Sequence, residues 1–130
     1  MVIDSSALLA ILFGEADRDK YIHRIEVARI RLMSAANALE TAVVVESRKG
    51  RPGGREFDLL MHTAGIDVVP MTPEHFEVAR RVWREFGKGN HPAGLNFCDC
   101  CALALSRISG YPLLFKGGDF PRSNAVSALA

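Results

Sequence analysis

Cysteine is scarce: three residues, Cys98, Cys100 and Cys101, in a chain of 130. No second pair stands elsewhere to complete a zinc site around Cys98 and Cys101, and the four histidines (His23, His62, His75, His91) are scattered. Cysteines so few and apparently unpaired argue against a disulfide scaffold and for a reducing compartment, so a cytoplasmic location is expected. No uninterrupted apolar stretch approaches the roughly 20 residues that a membrane span needs. The opening Met-Val-Ile-Asp lacks a basic region and meets an acid at position 4, so it does not read as a secretory leader. Neither sign of charge dominates. Sixteen basic against fifteen acidic residues give +1, which neither demands nor forbids a nucleic-acid partner.

Several chemistries lack their signatures as well. No glycine-rich phosphate loop follows a strand at the required spacing, which argues against nucleoside-triphosphate chemistry. No G-x-S-x-G elbow is present. An aspartyl-phosphate mechanism is not supported, because Asp4 has no acidic neighbour two positions on and the strand at Ile66–Val69 runs into Pro70-Met71. Internal repeats, low-complexity tracts and linkers are also missing. What remains is a chain with 48% hydrophobic and 24% charged residues, the balance of one soluble domain spanning residues 1–130.

Read in order, that domain alternates strands and helices. Met1–Ile3 is a very short strand, and Asp4-Ser5-Ser6 starts an apolar helix over Ala7–Phe13 that Gly14 closes. Glu15 to about Ala28 is a second helix, Arg29–Met33 a strand, and Ser34 the cap of a helix through Glu40 to about Ser47. Arg48–Arg55 is expected to be a basic, turn-rich loop, either a phosphate-contact patch or simply solvated surface. Phe57–Ala64 then forms a short helix and Ile66–Val69 a strand. Thr72-Pro73 starts a helix whose Phe76, Ala79, Trp83 and Phe86 recur at steps of three and four, predicting a core-facing stripe. After a loop over Gly87–Leu95, Phe97–Ser109 is a nearly all-apolar, buried helix, and Tyr111–Phe115 is the last clear strand. The pattern implies an α/β fold with a mostly parallel central sheet covered on both faces.

In such sheets ligands bind beyond the carboxyl ends of the strands. That rule singles out Asp4 after the first strand and Asp119 after the last. Two more acids stand where the sequence expects apolar residues. Glu40 shares a helix face with Ala36, Val43, Val44 and Ser47, and Asp99 is embedded in Phe97-Cys98-Asp99-Cys100-Cys101. Each has a bland reading: Asp4 as an N-cap, Glu40 at the edge of its face reaching water, Asp99 as a first-turn acid capped by Asn96, Asp119 as turn chemistry. Together they read differently. Four carboxylates converging in one small domain cannot all stay ionised without a cation, and oxygen-only ligands suit Mg²⁺ or Mn²⁺ rather than zinc. The chemistry suggested is metal-assisted hydrolysis of a nucleic-acid backbone.

Val2-Ile3-Asp4-Ser5-Ser6-Ala7-Leu8, Gly14-Glu15, Ser34-Ala35 leading to Leu39-Glu40, Leu95–Cys100 and Leu113–Phe120 follow one another in an order that resembles the VapC-type toxins of the PIN-domain ribonucleases. The resemblance implies a small three-layer α/β/α sandwich. It implies Mg²⁺ or Mn²⁺ held most directly by Asp4 and Asp99, with Glu40 and Asp119 completing the cluster directly or through water. Ser6 would hydrogen-bond Asp4, while Asn96 and Asn124 would support the site. It further implies cleavage of RNA, often transfer or ribosomal, a homodimer, and a VapB-type antitoxin that places a basic side chain at the acidic pocket. For the dimer, the helices bearing Tyr21, Ile22 and Ile25, or Trp83 and Phe86, are the candidate faces. This chain departs from the family at Gly118, where an acid is common, and at Ser123-Asn124, where a Thr-Asp pair is common. A non-catalytic PIN-fold scaffold that binds RNA or protein is the competing reading.

Overall fold

Alternating apolar residues of four very short strands divide between two cores. In the computed structural model, which describes residues 1–129, β1 (Val2–Ile3), β2 (Leu32–Ser34), β3 (Asp67–Val69) and β4 (Leu113–Leu114) form one sheet. All pairings are parallel, in the order β3-β2-β1-β4. Side chains along a strand alternate between faces. Accordingly Ile3, Met33 and Leu114 enter one apolar cluster, while Val2, Leu32 and Leu113 face the other. The first cluster is covered by α1 (Ser5–Leu12), α2 (Arg18–Val27) and α3 (Ala35–Thr63), the second by α4 (Pro73–Phe86) and α5 (Phe97–Ser109). The result is the expected three-layer α/β/α sandwich. Each fully buried Ile or Leu at its centre stabilises by about 1.5–3 kcal/mol relative to exposure.

The strand order locates the functional edge. Chain leaving β1 returns to β2 through α1 and α2 on one face, whereas chain reaching β4 arrives through α4 and α5 on the other. The direction of winding therefore reverses between β1 and β4. A crevice opens at such a switch point beyond the carboxyl ends of the strands, and Asp4 stands at its lip.

Several elements differ from the expectation. The anticipated loop at Arg48–Arg55 is helical: α3 continues to Thr63 with a single break at Gly50, whose φ of 67° and ψ of −161° interrupt the helix. Pro52 suits the first turn of the restarted segment. Gly53 and Gly54 are buried there because a Cβ at Gly53 would come within 2.6 Å of Lys49 Cβ, and one at Gly54 within 2.7 Å of Glu46 Oε1. Two of the four basic residues of this stretch are engaged: Arg48 lies over the Phe13 ring, and Lys49 bonds Leu12 O and Glu56. The second helix starts at Arg18 rather than Glu15.

The two proposed dimer faces separate cleanly. Tyr21 (2% exposed) and Ile25 (4%) belong to the first core, so that face is not available. Conversely, the stripe expected to face the core from α4 does so only in part: Ala79 and Phe86 pack against the second core, but Phe76 and Trp83 do not. Phe76 is 53% and Trp83 46% exposed, while His75 and Val82 are the buried residues of that helix. With Phe97, 75% exposed, they line an apolar depression that also takes in Met71, Leu95 and Cys100. Helical spacing alone does not say which apolar side chains of a helix are covered by its neighbours.

A candidate active site at the carboxyl edge of the sheet

Asp4 ends β1 and caps α1. Its Oδ2 accepts the Ser6 N–H at 3.0 Å and the Ser6 hydroxyl at 2.6 Å. Ser6 Oγ in turn accepts the N–H of Lys116 at 2.9 Å, which joins the loop after β4 to the first acid. The Lys116 ammonium turns away from the recess to Glu15 and to Asp17 at 2.8 Å. Both readings of Asp4 are thus realised together: it caps a helix and stands at the switch point.

Asp99 is reached from the other layer. Asn96 caps α5, its side chain accepting the Asp99 N–H at 2.8 Å, while Asp99 Oδ2 accepts the Asn96 N–H at 3.0 Å. This reciprocal capping box fixes the Asp99 backbone and occupies one oxygen. The apolar neighbours predict burial, but Asp99 is half-buried, and Phe97 at the helix start is itself exposed. Glu40 lies on α3 at the margin of the buried stripe formed by Asn37, Ala38, Thr41 and Val45, not within it. Val43, placed on its face by the sequence, is 53% exposed.

The acids are near enough to feel one another's charge. Burial pushes the Asp4 carboxyl up to about 7; the two Ser6 hydrogen bonds oppose this, and the like charges of Asp99 and Glu40 add to the rise. Burial likewise raises Asp99 to about 6, against the Asn96 N–H, with the charges of Asp119 and Glu40 contributing. The Cys98 thiol is pushed up to about 12, first by burial and then by Glu40, whose carboxylate lies beside it. Asp99 and Glu40 therefore act on Asp4, while Glu40 and Asp119, exposed after β4, act on Asp99. Asn124 is not brought to this cluster. Its Oδ1 accepts from Arg107 at 2.7 Å, at the other end of α5.

Among the described residues no salt bridge reaches Asp4, Glu40, Asp99 or Asp119. Nor does any group of three His, Cys, Asp or Glu side chains stand close enough to hold an ion between them. The donor set nevertheless fits Mg²⁺ or Mn²⁺. Such an ion is ordinarily held by one or two carboxylates plus waters, and Asp4 and Asp99 are oxygen donors whose ionised forms are disfavoured until a cation arrives.

Sequence reasoning missed Asn37, fully buried on α3 one turn before Glu40, whose Nδ2 lies 3.2 Å from Asp4 Oδ1. Its signal was available: a polar residue three positions from a candidate acid, on the same side of a helix.

A family model for the PIN domain matches residues 1–125. A VapC ribonuclease of Mycobacterium bovis is 50% identical over 127 residues, 98% of this chain and 97% of that protein. A ribonuclease VapC of Mycolicibacterium smegmatis is 49% identical over 120 residues, 92% of this chain and 93% of its own. Among solved structures, Mycobacterium tuberculosis VapC20, described as a sarcin–ricin loop cleaving toxin, superposes with a TM-score of 0.77 at 17% identity, covering 96% of this chain and 95% of that one. A toxin–antitoxin complex from Klebsiella pneumoniae gives 0.74 at 14% identity, covering 99% and 97%. At such identities the structural likeness speaks for the fold alone, whereas the sequence relatives speak for more. By the family model and by half of its residues, this chain belongs to the PIN domain family and, within it, to the VapC ribonucleases.

Proposed function

We propose that the recess between β1 and β4 hydrolyses RNA phosphodiester bonds with Mg²⁺ or Mn²⁺, as the toxin of a toxin–antitoxin pair. The observation that carries the reading is the placement of buried Asp4 at the β1/β4 switch point, within reach of the charges of Asp99 and Glu40 and, among the described residues, with no basic side chain in a salt bridge to any of them. Asp4 and Asp99 hold the ion, and Glu40 and Asp119 complete its surroundings directly or through water. When bound, the ion neutralises charge developing on the phosphodiester and acidifies a water.

The chain's own groups do the positioning. Ser6 fixes one oxygen of Asp4, and Lys116 N–H fixes Ser6. Asn96 fixes one oxygen of Asp99, and the other has no hydrogen-bond donor among the described residues. The same acids suit a basic side chain from a VapB-type antitoxin, which would occupy the place of the ion. The RNA substrate is of the transfer or ribosomal kind. The depression bordered by Phe76, Trp83 and Phe97 is the face through which two copies pair, since contiguous exposed apolar surface marks association sites.

Sequencing of RNA 5′ ends after induced expression tests the activity and names the substrate together. Wild type should generate a defined set of new ends that Asp99→Asn does not, and identical profiles would overturn the proposal. A non-catalytic scaffold has one observation in its favour, the lack of a closed three-ligand group among the described residues. Calorimetry separates the two readings, because a scaffold binds no divalent ion that Asp4→Asn or Asp99→Asn loses.

A further inference from the structure

The Asp4 carboxylate is gripped from two sides, and only one of them was foreseen. Opposite Ser6, the Asn37 amide places Nδ2 3.2 Å from Asp4 Oδ1, from Ser5 Oγ and from the carbonyl oxygen of Cys98. A backbone carbonyl accepts only, so the Cys98 oxygen fixes which end of the amide is nitrogen. The Asn37 backbone carbonyl accepts from Ser5 Oγ at 3.2 Å and Thr41 Oγ1 at 2.8 Å. One fully buried residue of α3 thus ties the end of β1, which carries Asp4, to the first turn of α5, which carries Asp99. Its remaining acceptor, Oδ1, is buried with no hydrogen-bond partner among the described residues. A buried carbonyl left without a donor is costly, so such an atom calls for a reason.

We infer that Asn37 is a positioning residue of the acidic site: it aims the Asp4 carboxylate and sets its place relative to the start of α5. The inference rests on the reading of the acids as a divalent-ion site. Groups that orient a ligand without touching the ion usually change its affinity ten- to hundredfold when removed.

The test is a Mn²⁺ titration by calorimetry of RNA-free protein, with thermal unfolding measured in parallel. Asn37→Ala should weaken Mn²⁺ binding roughly ten- to hundredfold. Asn37→Ser, which keeps one donor, should fall between Ala and wild type, and in RNA cleavage both should lower kcat with KM unchanged. A merely structural Asn37 would lower the unfolding temperature and leave Mn²⁺ affinity of the folded protein unchanged, and that result overturns the inference. If Asn37→Ala does not fold, Asn37→Ser decides alone: weakened affinity supports the role and wild-type affinity removes it. Wild type that binds no Mn²⁺ would sink the proposed function and this inference with it. Binding by wild type and equal binding by Asn37→Ala would sink the inference only.

Discussion

Raising the pH from 5 to 7 in the presence of a chelator should destabilise this protein, and Asp4 is the main reason. Its carboxyl titrates near 3.8 in the unfolded chain and at about 7 in the fold. Between those values the folded state keeps a proton that the unfolded state has released. Stability is therefore highest on the acid side and declines as pH climbs toward the folded value. One proton of difference is worth about 1.4 kcal/mol per pH unit, so the interval from 5 to 7 removes about 2 kcal/mol. Asp99, raised to about 6, acts in the same direction, though solvent screening at its half-exposed position reduces its share. Against a total of about 5–15 kcal/mol, the loss is large. Urea unfolding at pH 5, 6 and 7 measures it directly, and Asp4→Asn isolates the Asp4 part as a difference in slope, free of any constant offset. Saturating Mg²⁺ should stabilise wild type more at pH 7 than at pH 5, because the ion selects the ionised carboxylates. A wild-type stability that stays level or rises across this interval relative to Asp4→Asn would refute the burial argument.

Other outcomes follow from the same geometry. Asp99→Asn should abolish RNA cleavage while leaving the helical circular dichroism intact, because the amide oxygen still accepts the Asn96 N–H that closes the capping box. Gly53→Ala should cost about 1–3 kcal/mol in urea unfolding, since its Cβ would meet Lys49 Cβ at 2.6 Å and Val45 Cγ1 at 2.8 Å. Trp83→Asp should convert a dimer into a monomer in light scattering at micromolar concentration, with circular dichroism checking that the monomer stays folded. A monomeric wild type under those conditions removes that face as a pairing surface.

The architecture was legible in the sequence because the strands and caps are locally determined. Two-residue apolar strands ending in Asp4 or in the Lys116-Gly117-Gly118 turn, and caps such as Thr72 and Asn96, need no tertiary information. Asp4 and Asp119 followed from the rule for strand ends in a parallel sheet. Glu40 and Asp99 followed from charge in apolar surroundings, although both lie at the margins of buried stripes rather than inside them. The rest depended on contacts between distant segments. Gly50–Gly54 reads as a turn until Val45 and Lys49 are seen packing where side chains would stand. The α4 stripe reads as core until the second core takes Val82 instead of Trp83. Asn37 is unremarkable along the chain and acquires its role only through Asp4 and Cys98, 33 and 61 positions away.

The central claim is that carboxylates distant in sequence share one divalent ion at the β1/β4 edge. Crystals soaked in manganese chloride and measured for anomalous scattering address it most directly. The account predicts a manganese peak within bonding distance of side-chain oxygens of both Asp4 and Asp99. A well-diffracting soaked crystal with no peak there, or with manganese bound only elsewhere on the surface, would contradict it.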